Sequence, residues 1–229
     1  MKTAIITGGS GSIGSALVAE FASDHRVIFT YSKNMNNANK IAEKYGAEAV
    51  HCDITSESDI KNLSDMTDSC DLLINNAGIS STGLFTDMTD SALQEVVNID
   101  LIGTMLVTKA ILPLMIRRKS GCIINISSIW GVHGASCEVV YSAAKSGIIG
   151  FTKALARETG PSGICVNCIA PGLIESDMNA HLSSEEMREF VNGTSLCRIG
   201  KPFDIAHAAR YLSEADFVTG QVLGVDGGF

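Results

Sequence analysis

The chain has 229 residues, 45% hydrophobic and 18% charged, with a net charge of −8. That size and balance predict one well-filled domain and exclude a disordered chain. The acidic balance argues against nucleic acid as a main partner, because phosphate binding needs a basic field.

Short β-rich runs alternate with helical patterns along the chain. Strands are predicted over residues 2–7, 26–30, 47–52, 71–75, 122–127, 164–170 and 221–225. Helices are predicted over 12–23, 36–45, 57–65, 91–119, 140–158 and 204–212, with a shorter one at 184–191 inside the polar, irregular stretch 173–201. Such alternation implies βαβ units. The fold expected is a Rossmann-type, doubly wound α/β domain, with about seven parallel strands and helices on both faces. Ligands in such folds sit at the C-terminal ends of the strands. No apolar stretch reads as long enough for a membrane span. The first predicted strand starts at Lys2 and leaves no room for a signal peptide, so a cytoplasmic protein is expected.

The first strand runs into Thr7-Gly8-Gly9-Ser10-Gly11-Ser12-Ile13-Gly14 and then into a helix. Strand, glycine turn and helix start are what a pyrophosphate needs, because glycines admit close backbone approach and the helix end offers free N–H groups. Gly8, Ser10, Ser12, Ile13 and Gly14 are therefore candidate cofactor contacts. After the second strand comes Thr30-Tyr31-Ser32-Lys33, with no acidic residue to hold a ribose 2′-hydroxyl. Ser32 and Lys33 suit a 2′-phosphate instead, which favours NADP(H).

Tyr141 and Lys145 are four residues apart in an Ala-rich helical pattern, so they share a helix face. The lysine charge is expected to lower the phenol's pKa and to poise Tyr141 for proton transfer. Seven cysteines without regular spacing fit reduced thiols. Cys165 and Cys168 form a C-x-x-C, but on a strand their side chains point to opposite faces, so they are assigned to the core. His25, His51, His133, His181 and His207 show no metal-ligand spacing, and no metal is expected.

Thr7 to Gly14, Asn75-Asn76-Ala77-Gly78, Ser128, Tyr141-x-x-x-Lys145 and Pro171-Gly172 appear in order. Together they resemble the short-chain dehydrogenase/reductases over essentially the whole chain, and most of all the 3-oxoacyl-[acyl-carrier-protein] reductase branch. Ser12 departs from the glycine usual in that family's loop. The resemblance implies that Tyr141 protonates a ketone oxygen while hydride arrives from a nicotinamide. Ser128, thirteen residues before Tyr141, would hydrogen-bond that oxygen. Lys145 would hold the cofactor ribose, and Asn98 would anchor a water of the proton relay. The resemblance also puts the adenine near Asp53 and Ile54, and the ribose near Asn76, Ala77 and Gly78. It puts the nicotinamide near Pro171, Gly172, Ile174 and Ser176, and a substrate lid over 173–201. A homotetramer packed through the two long helices is the expected assembly.

The substrate is less defined. A ketone of fatty-acid synthesis on an acidic carrier protein leads, with Arg117-Arg118-Lys119 as a candidate docking patch. However, Glu138 stands where that branch commonly has glutamine, and a carboxylate there suits a cationic group. The stretch from Trp130 to Glu138 also resembles a subgroup that reduces a 5-aminopentanone on a lysine of elongation factor P, and this is the alternative. A nucleotide-sensing protein on an inactive scaffold is a further reading, opposed by the presence of all four reaction-centre residues.

Overall fold

The computed structural model describes residues 1–176, 179 and 183–229. His181 lies outside the described residues, as do parts of the predicted lid. The strands are β1 (Lys2–Ile6), β2 (His25–Tyr31), β3 (Glu48–His51), β4 (Leu72–Asn75), β5 (Gly121–Ile126), β6 (Ile164–Pro171) and β7 (Val222–Val225). They form one sheet in the order β3-β2-β1-β4-β5-β6-β7, and every neighbouring pair is parallel. The chain reverses its winding between β1 and β4, and this opens the crevice where such sheets hold ligands.

Helices cover both faces: α1 (Ser12–Phe21), α2 (Met35–Tyr45), α3 (Glu57–Asp65), α4 (Asp90–Val97), α5 (Thr104–Arg118), α6 (Ile129–His133), α7 (Val139–Thr159), α8 (Ser184–Asn192) and α9 (Pro202–Glu214). The strand side chains alternate between the two layers, as the pleat requires. Ile6, Ile74 and Ile124 pack with Leu17 and Phe21 of α1 and Leu212 of α9. Their chain neighbours Ile5, Leu73 and Ile123 pack with Leu63 of α3, Ile111 and Met115 of α5, and Leu155 of α7.

The helix predicted over 91–119 is one rod with a change of winding inside it. α4 passes into a π-helical turn, Asn98–Gly103, and then into α5. The rod Asp90–Arg118 is long and apolar enough, by length and composition, to cross a membrane. This corrects the expectation that no stretch reaches that length. Its apolar stripe is nonetheless spent on the protein, because Val107, Ile111 and Met115 are fully buried.

On the face covered by α5 and α7, a buried polar chain links the two helices to β4 and β5. Asn75 Nδ2 donates to Asn125 Oδ1 at 2.8 Å and to Thr108 Oγ1 at 2.9 Å, and Asn125 Nδ2 donates to Thr152 Oγ1 at 2.9 Å. Asn125→Ala breaks two of these bonds inside the core. It is expected to cost roughly 1–3 kcal/mol, because buried polar groups left without a partner keep their desolvation penalty. A denaturant midpoint that does not move would contradict this.

All seven cysteines are free. Cys165 and Cys168 lie on β6 as expected, and burial pushes both thiols up, Cys168 to about 11. A thiol used for redox exchange is shifted the other way.

Candidate active site

The glycine loop leaves β1 and is held from three sides. Gly9 N donates to Thr30 O at 2.8 Å and Gly8 N to Thr30 Oγ1 at 3.1 Å, which ties the loop to β2. Asn76 Nδ2 donates to Thr7 O and Gly8 O at 3.0 and 3.1 Å, and the amides of Asn76 and Ala77 donate to Thr7 Oγ1. Asn37 of α2 donates to Ser10 O at 2.7 Å. The switch-point crevice is thus floored by a rigid loop built from three strands' ends.

Two glycines are required by space. Gly8 has φ +66° and sits so close to β4 that a Cβ would lie 2.9 Å from Ala77 Cα. At Gly14 a Cβ would collide with the carbonyl oxygen of Gly8. The N-cap of α1 is Gly11, so no side chain caps the helix and its first N–H groups face outward for an anion. Ser12 is the first helical residue rather than the cap, so the departure from glycine is accommodated by position. Ser10, Ser12 and Ile13 are partly exposed along this cradle. These features fit a dinucleotide pyrophosphate.

The remaining expected cofactor residues fall into two groups. Ser32 and Lys33 are exposed just past β2, beside the strand residue that holds the glycine loop. Gly78 lies within the crevice, and Pro171 and Gly172 end β6, where Gly172 N donates to Val225 O at 3.0 Å. Ile174 is 4% exposed and bridges to Gly200, while Ser176 is partly exposed. Asp53 and Ile54 fit the adenine role less directly. Asp53 Oδ1 accepts from Thr55 N and Oγ1 at 2.8 and 2.7 Å, and Ile54 is buried against Gly103.

The reaction centre forms where β5 hands over to α6. Ser128 is extended, with φ −161°, and caps α6: its Oγ accepts from Trp130 N at 3.1 Å. Its hydroxyl also faces the Tyr141 hydroxyl and favours the ionised phenol. Neighbouring Ser127 faces away and donates to the Lys145 carbonyl at 2.9 Å, fastening α7 to the sheet. Lys145 Nζ lies 5.6 Å from the Tyr141 ring centre and donates to Ile126 O at 3.3 Å. Ser128, Tyr141 and Lys145 therefore converge.

Asn98 does not join them. It is exposed on the outer side of the rod, at the start of the π turn. The polar residue that the turn directs inward is Asp100, which is fully buried. Its Oδ2 stands 3.2 Å from Lys145 Nζ, and its Oδ1 accepts from Ile79 N at 2.8 Å. Asp100 is the site residue that sequence reasoning missed. Gly78 makes room for it, since a Cβ there would lie 3.1 Å from Lys145 Nζ and 3.2 Å from Asp100 Oδ2.

The electrostatics also differ from expectation. Burial pushes the Tyr141 phenol up, Lys145 pulls it down, and Asp100 and Glu138 push it up again, so the net direction is upward. Burial pulls Lys145 down, but Asp100 and Tyr141 outweigh it and keep the ammonium above its usual pKa. The expected lowering of Tyr141 by Lys145 is present but is overcome in this site.

Beside the centre, α8 is anchored by an aromatic cluster. Phe190 stacks on Phe229 with centroids 5.1 Å apart, and Trp130 of α6 meets Phe229 edge-on at 5.3 Å. A cavity of about 500 Å³ lies next to this cluster, between Ile174, Arg198 and Asp226. It opens beside Leu173 and Ile174 rather than over Tyr141.

A parallel doubly wound sheet, a glycine cradle at its switch point and a Ser-Tyr-Lys centre beside it define an oxidoreductase of the nicotinamide-nucleotide type. The chain belongs to the short-chain dehydrogenase/reductase family: the family profile described as enoyl-(acyl carrier protein) reductase matches residues 8–229. It is 38% identical to an uncharacterized oxidoreductase, YmfI, of Bacillus subtilis, over 100% of this chain and 98% of that one. It is 37% identical to the 3-oxoacyl-[acyl-carrier-protein] reductase FabG of Aquifex aeolicus, over 99% of this chain and 96% of the relative. Among solved structures, a putative gluconate dehydrogenase from Agrobacterium tumefaciens superposes with a TM-score of 0.95 at 30% identity, covering 99% of this chain and 94% of that one.

Proposed function

We propose that the chain is an NADP(H)-dependent ketone reductase whose substrate carries an amine, of the kind found in the 5-aminopentanone group on a lysine of elongation factor P. When bound, the cofactor supplies the hydride. The glycine cradle and the first turn of α1 would hold its pyrophosphate, and Ser32 and Lys33 would meet the 2′-phosphate. Lys145 would hold the ribose. Tyr141 gives its proton to the ketone oxygen, and Ser128 donates a hydrogen bond to that oxygen as charge develops on it. α8 and its aromatic anchor exclude water from the reacting atoms.

The observation that carries the substrate reading is Glu138. Glu138 stands at the N-cap position of α7, and its charge acts on the Tyr141 hydroxyl. With Lys145 offset by Asp100, the site presents a net negative field to the incoming group, which draws an ammonium and does nothing for an acyl chain. A 3-oxoacyl thioester on a carrier protein is the second reading, supported by the names of several relatives and by the exposed basic end of α5 at Arg117 and Arg118.

Two substrates separate these readings: elongation factor P carrying the ketone modification, and acetoacetyl-coenzyme A, each followed by NADPH absorbance. The modified factor should be reduced with the higher kcat/KM. Glu138→Gln should lower that preference roughly fivefold, the equivalent of about 1 kcal/mol for one charge pair at a partly exposed site. A preference for the thioester, unmoved by the substitution, would decide for the second reading. We further propose a cytoplasmic homotetramer packed through the α4–α5 rod, which is supported by the exposed Ile102, Met105 and Ile116 along it.

A further inference from the structure

We propose that Asp100 is a positioning residue of the reaction centre: its carboxylate ties the Lys145 ammonium to the Gly78–Ile79 turn and opposes the lysine's field at the Tyr141 hydroxyl. The geometry is specific. Asp100 and Lys145 are almost wholly inaccessible, and they are paired at 3.2 Å. One carboxylate oxygen is spent on Ile79 N, while the other is left, among the described residues, with the ammonium alone. The carboxylate is brought inward by a π turn, a form of helix that costs regular hydrogen bonding and recurs at functional sites.

A buried ion pair adds little to stability by itself, because desolvation offsets the attraction. Its effect falls instead on what the pair surrounds. Tyr141 is faced by Lys145 and Glu138 from α7 and its cap, by Asp100 from the π turn and by Ser128 from the end of β5. Lys145 is faced by Asp100, Tyr141 and, across β6, Cys168. In this set Lys145 is the cation, and Asp100 is the carboxylate in direct contact with it. Asp100 thereby adds to burial in keeping Tyr141 a proton donor across the neutral range, and it fixes Lys145 beside the crevice where a ribose would lie.

The test needs no substrate. Tyrosinate absorbance is followed against pH in the unmodified protein and in Tyr141→Phe, and their difference isolates Tyr141. In the unmodified protein Tyr141 should titrate at or above the ordinary tyrosine value of about 10. Asp100→Asn keeps an oxygen for Ile79 N but removes the charge, and should move the titration down by about one pH unit or more. The alkaline fall in the rate of NADPH-dependent reduction should move the same way, and the unfolding temperature should fall too, because the Lys145 charge is left buried without its partner. A purely structural role would lower the unfolding temperature and leave both pH curves in place, and that result would overturn the proposal. If Asp100→Asn does not fold, the unmodified protein still decides, because titration of Tyr141 clearly below the ordinary value is incompatible with an opposed lysine field.

Discussion

Tyr141→Phe is expected to lower kcat/KM for ketone reduction by roughly 10²–10⁴-fold, the range for removing a positioned general acid. The phenyl ring keeps the packing between α7 and α4, where Tyr141 lies among Val96, Val140 and Ala144. What is lost is the hydroxyl that stands beside Ser128 and that the ketone oxygen must meet. Cofactor affinity should be nearly unchanged, because Lys145 and the glycine cradle are untouched. NADPH binding by fluorescence alongside turnover separates the two effects. Turnover within a few-fold of the parent would remove Tyr141 from the mechanism.

Gly14→Ala carries the second large effect. The added methyl would enter the space held by the Gly8 carbonyl oxygen and by Gly9 Cα at 2.7 Å. Both obstacles are backbone, and both belong to a loop already fixed by Thr30, Asn76 and Asn37. Relief requires that loop to move away from α1. Overpacking of this kind costs about 1–3 kcal/mol of stability, with more where the neighbours cannot yield. The same movement breaks the surface that faces the pyrophosphate, so NADP(H) affinity should fall by at least tenfold, the equivalent of 1.4 kcal/mol. Calorimetry of binding and thermal unfolding measure the two consequences. A variant with parental affinity would mean that the cradle adapts.

The fold was almost wholly legible in the sequence, for a definite reason. A parallel sheet covered on both faces turns its strands into continuous apolar runs, such as Leu72–Asn75 and Gly121–Ile126, and separates them with amphipathic helices. The glycine loop was legible because its constraint is local: one segment must turn, approach and start a helix. α6 was not, since five residues with a glycine in the middle carry no readable period, and its start is set by the Ser128 hydroxyl.

The reaction centre was legible where spacing alone decides it, and illegible where phase does. Tyr141 and Lys145 share a regular helix, so their four-residue spacing fixes their common face. Asn98 and Asp100 lie in a π turn, whose wider winding shifts every later side chain. Ordinary helical periodicity therefore cannot choose between them, and it is Asp100 that meets Lys145. The direction of the Tyr141 shift was hidden because it depends first on burial, and then on a carboxylate from a distant segment that opposes Lys145.

The π turn also makes the rod from Asp90 to Arg118 a two-phase object. Its first part is seated against α7, and its second part against α3 and the sheet. A single-residue deletion within Asn98–Gly103 would restore one regular helix of uniform phase. Either the inward carboxylate or the seats of Val107 and Ile111 would then be lost, but not compensated together. One extra residue's worth of winding thus brings a charge into a finished core without any new loop.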